Sequence, residues 1–206
     1  MVLNRLTLSF LITYSQKSLM SFIACLLITA FLCSLPMGIF VGMIMHNTDP
    51  RQHKSGNTGM SNVWRCCGPT AGVITLLGDS TKAIVALWMC SSLCESLFVL
   101  GFLCVFFHCY SIYLSGNGGK GVATASGVIL YFSIESFLVA IVSWGLIRWR
   151  SKKASVASLG TIIIALLHTF FQYNELTFLI FGISILICIR HKDNILRLLS
   201  KEELHF

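Results

Sequence analysis

Charge is what this sequence most lacks. Asp, Glu, Lys and Arg together make up 11% of its 206 residues, and only eight of these are acidic, whereas about a quarter of an ordinary soluble domain is charged. A soluble globular domain is therefore excluded, and so is intrinsic disorder, which requires few apolar residues and many charges. Instead, 55% of the residues are hydrophobic and the mean hydropathy is +0.80. The chain must be solvated mainly by lipid, and at roughly 20 residues per crossing it has room for at most about nine membrane spans.

Metal-binding and disulfide patterns are also missing, although the chain contains nine cysteines. Most of them lie inside apolar runs, where a thiol behaves as a small apolar side chain. Cys66 and Cys67 are adjacent, and Cys90 with Cys94 lacks the paired cysteine and histidine spacing of a zinc site. The three aspartates are too scattered for a two-metal phosphotransferase. We therefore expect neither a metal nor another cofactor.

Six apolar runs are visible, and the basic residues between them set the number of spans. The runs cover about 21–45, 69–93, 96–114, 121–147, 155–171 and 174–189. Twelve of the 15 Lys and Arg lie in four of the intervening or flanking segments, and cytoplasmic loops collect such residues. Six spans cannot place all twelve on one side, but seven can if the 121–147 run is two helices of about 13 residues each, broken near Glu135.

The predicted fold is therefore an all-α polytopic membrane protein with seven transmembrane helices, two of them short. The N-terminus lies outside and the C-terminus is cytoplasmic, while Glu95, Glu135 and Glu175 mark the outer turns. Residues 1–20 form an N-terminal extension of unknown role, and residues 21–206 form a single transmembrane domain. Because topology accounts for the twelve basic residues, no basic aromatic surface remains for nucleic acid. The lipid bilayer is the expected partner, and no oligomeric state is predicted.

The longest polar segment, residues 49–68, lies between the first two runs. Glycines here permit tight turns, and hydroxyl, amide and guanidinium groups suit a phosphate. A solvated cytoplasmic loop with ordinary turn residues is an equally good interpretation. The candidate binding groups are Arg51, Ser55, Asn57, Ser61, Asn62 and Arg65.

A second polar segment, GNGGKGVAT at residues 116–124, opens the fourth span. Glycines at a helix N-terminus leave backbone amides free to face an anion, and Lys120 adds a full positive charge. A dinucleotide-binding loop is excluded because no strand precedes it, and a P-loop is excluded because Gly121 follows the lysine. The alternative is a glycine-rich interfacial turn with a snorkelling lysine.

A third polar segment, residues 189–204, follows the last apolar run. His191, Asn194 and Arg197 recur every three residues and therefore share one helical face. A positive-inside membrane anchor would explain the basic residues of this segment, but it explains a histidine and an amide less easily.

Ionisable residues also occur inside the apolar runs. Asp79 and Lys82 are three residues apart and can form a structural ion pair, or they can belong to the site, since such groups are expensive in a membrane. His108, Ser155 and Ser158 lie where they can border the same cytoplasmic cavity.

Three ordered motifs resemble the bacterial acyl-phosphate:glycerol-3-phosphate acyltransferases, the PlsY family of integral membrane enzymes. KSGNTGMSNVWR at 54–65 is similar to the first motif, although Lys54 and Met60 replace small residues there. GGKGVAT at 118–124 matches the second motif without change. HKDNILRLL at 191–199 matches the third motif, which reaches an acidic position at Glu203.

The resemblance implies that a fatty acyl group passes from acyl phosphate to the 1-hydroxyl of sn-glycerol 3-phosphate, giving lysophosphatidic acid and phosphate, at the cytoplasmic side of a bacterial inner membrane. This reaction would be the first step of phospholipid biosynthesis. The implied glycerol 3-phosphate site comprises Gly118, Gly119, Lys120 and Gly121. The implied catalytic groups are Ser55, Asn57, Asn62, Arg65, His191 and Asn194. The supporting groups would be Arg51, Ser61, Asp79, Lys82, His108, Ser155, Ser158 and Arg197.

The expected mechanism depends more on orientation and charge neutralisation than on a strong nucleophile, because acyl phosphate has a good leaving group. The sequence contains no HxxxxD pair, so the proton is expected to pass to a substrate or phosphate oxygen, with His191 a less favoured base. The alternative function is a small membrane transporter for an anionic phosphorylated metabolite. Such carriers usually contain internal repeats, and none stands out here.

Overall fold

A computed structural model describes residues 5–172 and 175–204, with side chains from Ser18 onward. Within these ranges the chain forms nine α-helices and two short 3₁₀ turns, and no strand. The α-helices are α1 (Arg5–Cys33), α2 (Met37–His46), α3 (Met60–Cys90), α4 (Leu97–Cys109), α5 (Val122–Phe132), α6 (Ile134–Ser151), α7 (Ala154–Phe171), α8 (Leu176–Arg190) and α9 (Lys192–Leu199).

Four helical stretches are long and apolar enough to cross a membrane: Ser18–His46, Met60–Cys90, Leu97–Leu114 and Ala154–Phe171. Two shorter apolar helices, α5 and α8, accompany them. The all-helical expectation is confirmed, whereas the count of seven spans stays a prediction. The predicted boundary between residues 20 and 21 falls inside α1, which is one continuous helix from Arg5.

The predicted break in the 121–147 run lies at Ser133. This residue ends α5 in an extended conformation and its hydroxyl accepts a hydrogen bond from the Ser136 amide, 3.1 Å away, which caps α6. A serine is well suited to this position because its side chain satisfies an otherwise unpaired amide. The break divides the run into two similar parts, as predicted, and lies two residues from Glu135. Helix α6 is longer than α5, with 18 against 11 residues, because it continues beyond the run to Ser151.

A kink divides α3 into two parts. Gly68 has a positive φ of 85° immediately before Pro69, and proline removes an amide donor and clashes with the preceding turn. The part before the kink carries Asn62 and Arg65, and the longer part after it carries Asp79 and Lys82. One helix therefore supplies both interfacial groups and groups within the bundle.

Helix α3 is central and packs against α1, α2, α4 and α5, while α8 packs against α4 and α7. Because lipid is as apolar as a protein core, close packing and interhelical hydrogen bonds hold such a bundle together. At the α3–α5 crossing, the Ser80 hydroxyl donates to the Ala123 carbonyl at 2.8 Å. A Cβ atom at Gly127 would lie only 2.2 Å from the Ser80 carbonyl oxygen, so the glycine permits this close approach.

Candidate active site

A cavity of about 350 Å³ extends from a polar end into the apolar interior of the described region. Its deep walls are formed by apolar side chains of α3, α5, α6, α7 and α8. Leu77 and Ile141 line it and are 59% and 49% exposed. The cavity is therefore not closed on the side where these two residues lie.

Most of the predicted site residues line this one cavity. They are Ser55, Asn57, Ser61, Asn62, Arg65, Asp79, His108, Lys120, Gly121, Ser155, Ser158, His191, Asn194 and Arg197. Three segments that are distant in the sequence are thus brought together, as expected. Arg51, Lys82, Gly118 and Gly119, which also belong to the described residues, are not part of its lining.

Asn62 organises the loop before α3. Its amide nitrogen donates to the carbonyl oxygens of Pro50 and His53 at 2.7 and 3.1 Å, and its oxygen accepts from the Ser55 amide and hydroxyl at 3.1 and 3.0 Å. Asn62 is 1% exposed. Asn62 therefore places Ser55 at the cavity.

Arg51 is directed away from the cavity. It forms a bidentate pair with Asp49, the closest distance being 2.6 Å, and its side chain is 50% exposed. Hydrogen bonding from Arg51 lowers the pKa of the Asp49 carboxyl. Arg51 thus stabilises the turn locally, and the expectation that it supports the site is not met by this geometry.

The expected anion-facing amides are not those of Gly118 and Gly119, which donate instead to the carbonyl oxygens of Cys109 and His108, each at 3.1 Å. Glycine is needed here for a different reason. A Cβ at position 118 would lie 2.0 Å from the His108 carbonyl oxygen, and one at 119 would lie 2.1 Å from His108 Nε2. Among the described residues, no acceptor is bonded to the amides of Val122, Ala123 and Thr124 in the first turn of α5, so these amides are free to face an anion.

Replacing Gly118 by alanine is expected to displace the segment that carries Lys120, because the clash is with a backbone oxygen that cannot rotate away. A misplacement of about 1 Å can cost roughly 100-fold in rate. We therefore expect kcat/KM for the expected substrate glycerol 3-phosphate to fall by about that factor. Gly145→Ala in α6 is the matched control, since a Cβ there meets nothing within 4 Å. An unchanged kcat/KM in the Gly118→Ala variant would contradict this prediction, because it would mean that the segment accommodates the added Cβ without displacing Lys120.

Lys120 joins the second and third motifs. Its ammonium donates a hydrogen bond to the side-chain oxygen of Asn194. Burial, followed by repulsion from Arg197, lowers the pKa of Lys120 to about 8, and Glu203 partly opposes this shift. The Lys120 side chain is therefore mostly charged at neutral pH, although its pKa is only slightly above that pH. A bound anion would stabilise the charged form.

Glu203 connects the groups of α9 to one another. Its two carboxylate oxygens accept from Asn194 Nδ2 at 2.6 Å and from Arg197 Nε at 2.9 Å. Burial opposes ionisation, but hydrogen bonds from neighbouring side chains, including these two, hold the pKa of Glu203 below its usual value. The sequence analysis gave this acidic position no role. The available signal was that Glu203 follows Arg197 by six residues and could therefore pair with its guanidinium.

His191 is buried and its Nδ1 lies 2.9 Å from the Ile187 carbonyl oxygen. A carbonyl can only accept, so Nδ1 carries a proton and the neutral ring keeps an unprotonated Nε2. Burial, followed by the nearby charge of Lys120, lowers the pKa of His191 to about 4. The side chain is consequently neutral at physiological pH and only weakly basic.

Asp79 and Lys82 form the predicted ion pair, with 2.7 Å between Nζ and Oδ1. The pair extends to His108, whose Nδ1 lies 2.9 Å from the Lys82 ammonium and 3.5 Å from Asp79 Oδ1. Lys82 also donates to the Leu35 carbonyl at 2.7 Å. Two members of this buried cluster, Asp79 and His108, line the cavity, and His108 belongs to the end of α4, on which Gly118 and Gly119 rest.

The described residues contain no group of three or more His, Cys, Asp or Glu side chains placed to hold a metal. A family model described as glycerol-3-phosphate acyltransferase matches residues 23–201. The chain belongs to the glycerol-3-phosphate acyltransferase family. The resemblance drawn from the three motifs is therefore confirmed.

Individual relatives agree with this assignment to the acyltransferases. The chain is 33% identical over 195 residues to glycerol-3-phosphate acyltransferase of Lactiplantibacillus plantarum, which covers 91% of this chain and 94% of that protein. It is 35% identical over 182 residues to the Geobacillus kaustophilus enzyme, covering 86% and 92%. These similarities give no support to the transporter alternative.

Solved acyltransferase structures share the fold. The glycerol 3-phosphate form of PlsY (YgiH), an integral membrane glycerol 3-phosphate acyltransferase, superimposes with a TM-score of 0.79 at 32% identity, covering 89% of this chain and 96% of that one. The lysophosphatidic acid form gives a TM-score of 0.76 at 31% identity, covering 89% and 94%. This acyltransferase family member is accordingly an all-helical integral membrane protein.

Proposed function

We propose that this chain transfers a fatty acyl group from acyl phosphate to the 1-hydroxyl of sn-glycerol 3-phosphate, giving lysophosphatidic acid and inorganic phosphate. The observation that carries the proposal is the single cavity with a cationic end and an apolar end. Both substrates bear a phosphate, and one also bears a long hydrocarbon chain. A cavity with a cationic end and an apolar end can therefore hold both substrates.

Cationic groups surround the polar end. Lys120, Arg65 and Arg197 line it, and Glu203 compensates part of their charge. Phosphate esters carry close to two negative charges at pH 7, so two substrates together exceed the positive charge of these side chains. The free amides in the first turn of α5 and the helix dipole supply further stabilisation of negative charge.

The apolar end suits the acyl chain of the donor. Apolar side chains from five helices line it, including Leu130, Phe137, Ile162 and Ile180. Ile180 on α8 and His191 at the end of that helix both line the cavity, and they lie eleven residues apart, which corresponds to about 16 Å along the helix axis. The cavity therefore extends far enough into the bundle to hold much of a fatty acyl chain beside the phosphate groups.

In the proposed reaction, the 1-hydroxyl oxygen of glycerol 3-phosphate attacks the acyl carbonyl carbon and a C–O ester bond forms. The bond between that carbon and the bridging oxygen of acyl phosphate breaks, and phosphate leaves with the electron pair. The hydroxyl proton passes to a phosphate oxygen, since His191 with a pKa of about 4 is a weak base. Lys120 and the α5 amides stabilise the developing negative charge.

We further propose seven spans with the N-terminus outside, the C-terminus cytoplasmic and the site on the cytoplasmic face of a bacterial inner membrane. Arg65, Lys120 and Arg197, at the polar end of the cavity, belong to the twelve basic residues that the charge pattern assigns to one side. We retain residues 21–206 as the catalytic domain and residues 1–20 as an extension whose helix continues into the first span.

The test is an assay of the purified full-length protein with palmitoyl phosphate and glycerol 3-phosphate. We expect phosphate release and lysophosphatidic acid formation that require both substrates. Palmitoyl-coenzyme A in place of palmitoyl phosphate should give no product, and glycerol in place of glycerol 3-phosphate should give very little. Equal turnover with the coenzyme A thioester would contradict the proposed donor, and product from glycerol would contradict the role of the cationic end.

The activity should also decline at mildly alkaline pH. The pKa of Lys120 lies below its usual value, at about 8, so the free enzyme loses this charge as pH rises through 8, far earlier than an ordinary lysine would. We expect kcat/KM for glycerol 3-phosphate to fall about tenfold per pH unit above 8, since kcat/KM reports the free enzyme. In Lys120→Arg the decline should disappear, because a guanidinium stays charged. A wild-type profile that is flat to pH 10 would contradict this assignment.

A further inference from the structure

We propose that Arg190 is a positioning residue, which holds the Gly118–Lys120 segment in register with His191 and Asn194. The inference rests on the proposed function of the cavity. Arg190 does not line that cavity, so it must act through the residues that do. It was counted in the sequence only as one of the basic residues at the membrane surface.

The contacts of Arg190 are directed at consecutive peptide groups. Nη2 donates to the Gly118 carbonyl at 2.9 Å and Nε donates to the Gly119 carbonyl at 3.2 Å. The guanidinium also lies over the Tyr110 ring, with 5.2 Å from Cζ to the ring centroid. A planar fork with several donors can satisfy two adjacent carbonyls while stacked on a ring, which a lysine cannot do.

The other edge of the same segment is held by α4. The amides of Gly118 and Gly119 donate to Cys109 and His108, and Gly119 packs directly on the His108 ring. Among the described residues, Arg190 is the side chain that donates to the two glycine carbonyls. The segment is therefore fixed by α4 on its amide side and by Arg190 on its carbonyl side.

These contacts affect the site because the residues that make them are adjacent in sequence to site residues. Lys120 immediately follows the clamped glycines, and His191 immediately follows Arg190. Two links consequently join the second motif to the third, namely Arg190 to the glycine carbonyls and Lys120 to Asn194. A phosphate that draws the Lys120 ammonium weakens the second link, and Arg190 then keeps the distance between the motifs.

A membrane-surface anchor is the competing explanation for a basic residue at the end of the last span. Lys192 provides the comparison, because it lies two residues away with the same charge but is exposed. If charge at the membrane surface were the function of Arg190, removal of either charge would have a similar effect.

The test compares Arg190→Gln, Arg190→Lys and the control Lys192→Gln in the purified full-length enzyme. We expect Arg190→Gln to raise KM for glycerol 3-phosphate about tenfold while KM for palmitoyl phosphate changes less than about twofold. Arg190→Lys should recover only part of the loss, because it restores charge but not the fork. Lys192→Gln should behave as wild type.

The double variant Lys120→Met with Arg190→Gln checks the route of action. If Arg190 acts through Lys120, the second replacement adds little to the first. A full tenfold further loss would mean that Arg190 acts independently of Lys120, and it would overturn the proposal, as would an unchanged KM for glycerol 3-phosphate in the single variant. If Arg190→Gln is recovered unfolded, Arg190→Lys decides, and a wild-type KM in that variant overturns the proposal. Absence of acyl transfer by the wild type would instead refute the proposed function.

Discussion

Lys120→Met is expected to lower kcat/KM for glycerol 3-phosphate by about 100- to 1,000-fold, the range found when one preorganised charge-stabilising donor is removed. Lys120 lines the cavity and is half-buried, and burial lowers its pKa to about 8. Charge interactions are strongest in such surroundings. The loss should appear both in KM for glycerol 3-phosphate and in kcat, because Lys120 faces the bound phosphate and also stabilises the developing charge; both constants are measured by initial rates at saturating palmitoyl phosphate.

Two further variants serve as comparisons, one that keeps the charge at position 120 and one that removes an exposed lysine elsewhere. Lys120→Arg keeps the cation and should retain more activity than Lys120→Met, although the larger planar guanidinium meets the Asn194 oxygen with a different geometry. Lys192→Met removes an exposed lysine from the neighbouring helix and should leave the kinetics unchanged. A loss below about threefold in Lys120→Met would refute the assignment of a phosphate site at this position.

The second large effect concerns stability. Asp79→Asn removes the partner of a buried ammonium, since Lys82 and Asp79 have side chains that are only 5% and 2% exposed. Breaking a buried ion pair on one side costs about 3–5 kcal/mol, which for a chain of this size corresponds to a fall of roughly 10 °C in Tm. The measurement is thermal unfolding in a fixed detergent.

The exposed Glu95 provides a matched control, because Glu95→Gln makes the same chemical change outside the bundle. The double variant Asp79→Leu with Lys82→Met should regain part of the lost stability, since both charges are then absent. Equal Tm values for Asp79→Asn and wild type would show that Lys82 is compensated in some other way, and the cluster with His108 would lose its structural importance.

The sequence allowed the membrane fold to be predicted, because this fold depends on local signals. Hydropathy identifies apolar helices, and the asymmetry of basic residues indicated a break near Glu135 that the structure has at Ser133. Where each motif meets the others was not determined by local pattern. It was inferred from the resemblance to a known family.

The errors share a physical cause. Gly118 and Gly119 suggested free amides, but the end of α4 supplies carbonyl acceptors for them, and no local pattern reveals which backbone a distant helix end will approach. Arg51 suggested a phosphate ligand until its neighbour Asp49 was found to pair with it. Arg190 was indistinguishable in sequence from any basic residue at a membrane surface. Tertiary packing decides such partners, and propensity does not.

The apolar wall that includes Leu77 and Ile141 has a kinetic consequence, because these side chains line the cavity and are also exposed. A donor with a long hydrocarbon tail would enter sideways from the leaflet, and the lipid product would return to it by the same route. The relevant donor concentration is then its mole fraction in the surrounding amphiphile. Diluting the enzyme and donor with more inert detergent should therefore slow turnover at constant bulk concentration, whereas the water-soluble acceptor should show no such dilution effect.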